Sequence, residues 1–515
     1  MTDTLTVLGP AHVRRWFELG LRSMLAVRRQ VDVLNVFPVP DGDTGTNLVL
    51  TLAGAARAAG RLGPHAGLAE LTAAAARGAL VGARGNSGVI LSQAMRGLAR
   101  SVAQGESLDG PGLAAALSAA ATAAREAVER PVEGTVLTVA SAAARGARDA
   151  PDPSLGGVVT AATGAATTAL ADTRSQLPVL AERGVVDAGA AGYVILLEAL
   201  AAVVAGGAPA TGRARDALAS LWSTPRPVAA GPSCALGQSV VGEHDDAAPS
   251  AYEVMYVLHA TDAAVAALRT RLDSVGDSVA VVGGSDGFEG RGLWQVHVHT
   301  EDPSAVLAAR ADMEQVCVRS LAAPAAGVLA CTRLPGLLAP LAATGAEVVL
   351  HPDAAGLERG VVDAGSRHVL VLPCDAESAA LAEQLLAGEA GALLPGSQRV
   401  DVLGTRSELA VLAVAGEQHP GSAEDERLAA ARETAGRVRT ASCAAADLDG
   451  TVADLLQPGD ELLTAVVGRE LAPGSPARED VLARLRTAVV TAAPQAELVV
   501  LDGAQPAPDL LLGAQ

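Results

Sequence analysis

The sequence contains no lysine: every basic side chain among its 515 residues is an arginine or one of nine histidines. Without lysine there is no Walker-type GxxxxGK phosphate loop and no Schiff-base chemistry on an ε-amine. Aromatic residues make up only 2% of the chain, so its cores must be filled by Ala, Leu and Val. Basic charge is also short, 38 Lys plus Arg against 57 Asp plus Glu, and the net charge of -19 argues against nonspecific binding to nucleic acid or an anionic membrane surface. The five cysteines, Cys234, Cys317, Cys331, Cys374 and Cys443, show no CxxC spacing. That pattern excludes a disulfide framework and a cysteine-rich zinc site, and the residues read as thiols in a reducing cytoplasm. The opening MTDTLTV has no basic region followed by an apolar run. The most apolar helical stretch, YVILLEALAAVVAGGA, carries Glu198 and is too short to span a bilayer, so no integral membrane segment is expected.

At 515 residues the chain exceeds what one core usually covers. Residues 10 to 208 read as Ala-rich helical segments separated by Gly-rich turns, an all-α first domain (1–208). Pro, Gly, Ser and charged residues then mark a linker over 209–246. Next, AYEVMYVLH alternates, AAVAALRTRLDSV is amphipathic, and DSVAVVGGSDGFEGRGLWQVHVHT reads as two strands around a turn, giving a small α+β middle domain over 247–318. Over 319–515 the short runs GVLACT, AEVVLH, HVLVLPC and LAVLAVA alternate with helical segments, which favours an α/β domain with a parallel sheet. DELLTAVVG and AELVVLDG add further strands in its tail.

Asparagine occurs only at Asn35, Asn47 and Asn86, all within two Gly-rich segments, NVFPVPDGDTGTN and GARGNSGVILSQ. In the first, Pro38 and Pro40 impose an extended approach, and Gly42 lets the backbone turn so that Asp41 and Asp43 converge. Paired carboxylates suit a hard divalent cation that keeps phosphate oxygens in its shell. Thr44 to Asn47 lead into a helix whose first N–H groups favour an anion. DGD is equally compatible with an Asx turn that caps the helix. In the second segment, Gly85 and Gly88 bracket Asn86 and Ser87 at another helix start, close to Arg84. EGTVLTV places Thr135 as an N-cap, and GVVDAGAAGYV puts Asp187 and Gly189 at one more helix entrance. Four such starts suggest a rim of helix N-termini around a nucleotide.

These four segments, in this order, resemble the ATP-binding domain of the dihydroxyacetone kinase L-subunit type, and with the following domains the chain resembles the ATP-binding subunit of bacterial fatty acid kinase. The resemblance implies a barrel of eight antiparallel helices with ATP at one end and two Mg²⁺ ions on Asp41 and Asp43, Asn35 standing nearest a further ligand position. It implies phosphate contacts from Thr44, Gly45, Thr46, Asn47, Ser87 and Gly88, and closure over base and ribose by the segments of Thr135, Asp187 and Gly189. In LWQVHVHT, His297 and His299 share one face of a strand, where they could bind zinc with a third ligand from a neighbouring strand or stand as a plain pair of exposed histidines. The resemblance implies a zinc site there, completed by a residue whose position Glu253 occupies. It further implies that the last domain docks a fatty-acid-binding protein, which presents a carboxylate for phosphorylation. A kinase of a small polyol such as dihydroxyacetone and a nonenzymatic nucleotide-sensing scaffold are the competing readings, and a homodimer is left open.

Overall fold

A computed structural model of the chain describes residues 5–37, 42–103, 108–128, 131–206, 251–284, 291–364, 366–387, 399–418 and 423–515. The expected linker and Asp41 lie outside the described residues, as does Cys234. The described residues fall into two compact units, the first drawn from Met1–Pro249 and Ala280–Gln295, the second from Ser250–Val279 and Val296–Gln515.

The first unit is helical where the sequence shows 3.6-residue periodicity. Its helices are α1 (Pro10–Leu34), α2 (Thr44–Arg61), α3 (Leu68–Gly82), α4 (Gly85–Val102), α5 (Gly110–Glu126), α6 (Val136–Arg148), α7 (Leu155–Gln176), the six-residue α8 (Pro178–Arg183) and α9 (Ala188–Val204). Each long helix packs on the next, α7 packs on α9, and α9 returns to α1, so the eight long helices close into the expected ring. One closing contact is polar: the Trp16 indole on α1 donates 2.9 Å to the Leu196 carbonyl on α9. The interior is built from Leu, Val and Ala, including Leu52, Leu71, Leu113 and Leu200, with Met24 among them. Alanine buries little area, and such a core gains its cohesion from close approach of backbones rather than from large side chains. Short connections make neighbouring helices antiparallel, which puts the N-termini of α2, α4, α6 and α9 at the same end of the ring.

In the second region, strands β1 (Tyr252–Thr261), β2 (Gly276–Gly284), β3 (Arg291–Thr300), β4 (Met313–Ser320), β5 (Val328–Thr332), β6 (Glu347–Leu350), β7 (His368–Leu372) and β8 (Arg399–Val402) form one eight-stranded sheet in the order β2-β3-β1-β4-β6-β5-β7-β8. β1 pairs antiparallel with β4, and β4 with β6, whereas β5 pairs parallel with β6 and β7, and β7 with β8. The sheet is therefore antiparallel at the β1–β4 side and parallel at the other, with the parallel part in the expected α/β region. Its helices are α10 (Asp262–Val275), α11 (Leu338–Ala343), α12 (Ala354–Asp363), α13 (Ala376–Ala387), α14 (Glu408–Glu417) and α15 (Glu424–Arg437). The run LAVLAVA, expected as a strand, lies in α14. Ser407 caps this helix by accepting from the Ala410 N–H, and Leu409, Val411 and Val414 are all buried. A short run that is apolar on every side carries no period, which is why strand and helix could not be told apart there. Strands β9 (Arg439–Cys443), β10 (Leu462–Val467), β11 (Glu497–Asp502) and β12 (Leu510–Ala514) make a separate four-stranded sheet, order β11-β10-β12-β9, with helices α16 (Leu448–Leu455) and α17 (Pro476–Ala492). Cys317, Cys331, Cys374 and Cys443 are buried, as expected of small core residues.

Candidate functional site

Gly42 and Asp43 lead directly into α2. Gly42 has φ +68°, a left-handed conformation that L side chains avoid. Asp43 stands at the N-cap position of α2, yet its side chain makes no capping bond. Its Oδ1 accepts instead from Asn47 Nδ2 at 2.7 Å. The capping group comes from another helix: Asp32 of α1 accepts from the Thr46 N–H at 2.8 Å through Oδ1 and from the Thr46 hydroxyl at 3.1 Å through Oδ2. Burial, with a contribution from Asp43, pushes the Asp32 carboxyl up to about 6. Sequence reasoning missed Asp32, because a lone acidic residue in an amphipathic helix has the pattern of a solvated face. Gly45 permits the approach, since a Cβ there would lie 2.2 Å from the Arg28 carbonyl oxygen. Asn35 is buried and ends α1, its N–H donating to the Asp32 carbonyl at 3.1 Å.

Asn47 also links the two Gly-rich segments. Gly85, the first residue of α4, has φ +51°, and a Cβ on it would meet Asn47 Nδ2 at 2.5 Å. Gly88 lies equally close to α2, where a Cβ would sit 2.6 Å from Thr51 Oγ1. The structure thus brings Asp43, Thr44, Thr46 and Asn47 together with the helix start that carries Ser87 and Gly88. Arg84 is buried and turns Nη1 back onto the Ala83 carbonyl at 2.6 Å, so it is engaged with the end of α3.

The other two helix starts are joined to each other. Thr135 is the N-cap of α6 and accepts from the Leu137 N–H. Asp187 is the N-cap of α9, accepts from the Ala190 N–H at 2.8 Å, and takes a second backbone bond from Val136 at the start of α6. Burial pushes its carboxyl up to about 6, against the lowering effect of those two bonds. Gly189 packs on Val136, where a Cβ would be 3.4 Å from the Val136 Cβ. Ser87, Val136 and Gly189 line one pocket together with Leu48, and the rest of its lining, including Leu91 and Leu196, is mainly apolar. The starts of α4, α6 and α9 and the second turn of α2 thus border one mainly apolar pocket, while the N–H groups of Thr46, Val136, Leu137 and Ala190 at these starts are taken by Asp32, Asp187 and Thr135.

The second cluster lies in the sheet of the other unit. Glu253 on β1 and His297 and His299 on β3 are all buried, and their ligand atoms lie within 4.8 Å of one another. Glu253 Oε1 is 3.3 Å from His297 Nδ1 and 3.8 Å from His299 Nε2. The imidazoles are thus walled in, not exposed as plain strand histidines would be. Glu253 Oε2 accepts from Arg319 Nε, which stands directly across on β4. Burial opposes ionisation of Glu253, but Arg319 and a hydrogen bond from His299 outweigh it and hold the carboxyl well below the usual range. Burial pushes His297 down to about 4, so its ring is neutral at pH 7. Both of its nitrogens are buried without a hydrogen-bond partner. A neutral imidazole with an unused lone pair, a second imidazole and an anionic carboxylate fit a zinc-type ion with one position left open. Arg319 would then be the outer partner that orients the carboxylate.

The first unit is thus a closed ring of helices with Gly-rich starts at one end, and an α/β part follows it in the chain. Residues 38–202 match the DAK2 domain family, and residues 250–318 match the family of FakA-like middle domains, those of the fatty acid kinase type. The chain carries a DAK2 domain and, after it, a FakA-like middle domain. It is 36% identical over 292 residues to protein YloV of Bacillus subtilis, covering 56% of this chain and 50% of that protein. It is 34% identical over 290 residues to an uncharacterized protein of Staphylococcus haemolyticus (54% of this chain, 48% of the relative). An uncharacterized protein of Staphylococcus saprophyticus matches at 41% over 169 residues (32% and 30%). The matches span half or less of the length of these relatives. Among the described residues no helix is long and apolar enough to cross a membrane.

Proposed function

We propose that this chain is the nucleotide-binding subunit of a fatty acid kinase, transferring the γ-phosphoryl group of ATP to the carboxylate of a fatty acid held by a separate binding protein. The observation that supports this most is the meeting of the two Gly-rich segments, where Asn47 bonds Asp43 and packs against Gly85 at the start of α4. Magnesium, when bound, supplies the neutralisation of phosphate charge that the missing lysines cannot. Asp41 and Asp43 would hold the two ions, with Asn35 beside them. Thr44, Gly45, Thr46, Asn47, Ser87 and Gly88 would border the phosphates, with Thr46 itself held by Asp32. The segments of Thr135, Asp187 and Gly189 would close over the base and ribose.

In the transfer, a carboxylate oxygen forms a bond to the γ-phosphorus while the bond from that phosphorus to the β,γ-bridging oxygen breaks. The electron pair leaves with ADP, and the product is an acyl phosphate. A fatty acid carboxylate is ionised near neutral pH, so no general base is required, in keeping with a rim rich in amides and carboxylates. The work of the protein is alignment and charge stabilisation. Glu253, His297 and His299 would hold zinc as a structural element of the middle domain, and the last domain would dock the lipid carrier.

The test is incubation of the full chain and Mg·ATP with a fatty-acid-loaded binding protein, and separately with dihydroxyacetone. Acyl phosphate is trapped by hydroxylamine and ADP is counted. Hydroxamate formed only with the loaded carrier supports the proposal. ADP release driven by dihydroxyacetone would replace it with the polyol kinase reading, and nucleotide binding without transfer to either acceptor would replace it with the scaffold.

A further inference from the structure

Asp32 sits in the last turn of α1, where its carboxylate faces the negative end of its own helix dipole. It is held there by the next helix, through the N–H and the hydroxyl of Thr46. Thr46 is the third residue of α2, the position whose N–H an N-cap side chain ordinarily satisfies. The residue at that N-cap is Asp43, and aspartate ranks among the best capping residues. Yet Asp43 makes no capping bond, and its backbone, at φ -124° and ψ 0°, lies away from the extended region that capping residues adopt. Its Oδ1 is bonded to Asn47 Nδ2 instead. The arrangement is also sterically specified: a Cβ on Gly45 would lie 3.0 Å from Asp32 Oδ1 as well as against the Arg28 carbonyl.

We infer that Asp32 is a positioning residue which caps α2 from a neighbouring helix and thereby keeps Asp43 turned toward the phosphate rim. The inference rests on the Mg·ATP reading of that rim. An aspartate at an N-cap has two competing uses, since capping and cation binding draw on the same oxygens. Supplying the cap from α1 removes the competition. A plain stabilising contact would predict something different, namely that loss of Asp32 lowers stability and leaves nucleotide affinity alone.

The experiment is calorimetric titration of the full chain with Mg·ATP, alongside thermal unfolding, for wild type, Asp32→Ala, Asp32→Glu and Asp32→Asn. In Asp32→Ala the vacated Thr46 N–H draws Asp43 into the cap, so the melting midpoint falls little while the Kd for Mg·ATP rises by about tenfold, the worth of one charged hydrogen bond. Asp32→Glu keeps the charge but overshoots Thr46 by a methylene, and it shows the same loss even if the alanine variant proves too unstable to titrate. Asp32→Asn still offers an acceptor to the Thr46 N–H and stays within about threefold of wild type. Adding Asp43→Asn costs less affinity in the Asp32→Ala background than in wild type, because the two act through one group. If wild type binds Mg·ATP and both Asp32→Ala and Asp32→Glu bind it equally well, the inference is wrong while the functional reading stands. A wild-type chain with no Mg·ATP binding overturns the functional reading and this inference with it.

Discussion

Asp187 offers a quantitative check on how the rim is built. Its carboxyl is buried at the N-terminus of α9, and burial raises it from the ordinary 3.8 to about 6 in the folded chain. A raised carboxyl means that the folded state holds its proton more tightly than the unfolded state, so stability increases as pH falls through the folded value and levels off below the unfolded one. The full gap between 3.8 and about 6 corresponds to about 3 kcal/mol, of which about 1.4 kcal/mol is gained between pH 8 and pH 5. Asp32 and Glu408 are raised as well, to about 6 and about 7, so the slope of the whole protein is not diagnostic. Asp187→Asn isolates the contribution. The amide keeps an acceptor for the Ala190 N–H but carries no proton that titrates here. Native-state hydrogen exchange of α9, read by mass spectrometry in both proteins at each pH, cancels the intrinsic exchange rates and the other groups. The stability difference between wild type and variant should shift by about 1.4 kcal/mol in favour of wild type on going from pH 8 to pH 5. A difference that stays constant over that range would refute the burial argument for this carboxylate.

Asp43→Asn should reduce phosphoryl transfer by at least about a hundredfold while circular dichroism and the melting midpoint stay near wild type, since the side chain takes no part in capping α2. Gly85→Ala places a Cβ 2.5 Å from Asn47 Nδ2 on a left-handed backbone, and should cost about 1–2 kcal/mol in chemical denaturation together with most of the nucleotide affinity in calorimetry. His297→Ala should abolish zinc retention measured by elemental analysis. Arg319→Leu should weaken it by about tenfold to a hundredfold, as expected for an outer partner of a ligand.

The four helix starts were legible because helix termini leave unpaired N–H groups that only a few residue types can serve, and Gly, Thr and Asp recur across the four segments. Helical periodicity likewise marked the ring, whose eight long members follow the Ala-rich segments. What periodicity could not carry was identity of partners across the chain. Asp32 is 14 residues before Thr46, on a helix whose exposed face contains many charged residues, and nothing local separates it from them. The cap of α2 is provided in space, by Asp32 of another helix and not by Asp43, while Asp41 lies outside the described residues. LAVLAVA failed for the opposite reason, since a run apolar at every position, Leu412 and Ala413 half-buried included, carries no period for local sequence to show.

The middle cluster shows how far a two-residue periodicity reaches. Alternation along LWQVHVHT places His297 and His299 on one face of β3, and their rings are 5.0 Å apart. Glu253 was legible through the family resemblance alone, and its setting makes physical sense of a carboxylate there. Burial raises a carboxyl, as at Glu347 nearby, where burial and Asp363 push it well above the usual range against the pull of Arg319 and Arg359. Glu253 escapes that fate because Arg319 faces it directly across the β1–β4 pair. The arginine thus keeps the carboxylate anionic through one oxygen while the other is directed at two imidazoles, one of them held neutral by burial. Glu253 and His297 are therefore in the protonation states a metal needs before any metal arrives. The same logic predicts that Arg319→Leu, by leaving Glu253 to protonate, should make metal uptake fall steeply as pH drops from about 7 to about 5, whereas the wild type changes less over that interval. Parallel uptake curves for the two proteins would mean that the imidazoles alone set the affinity.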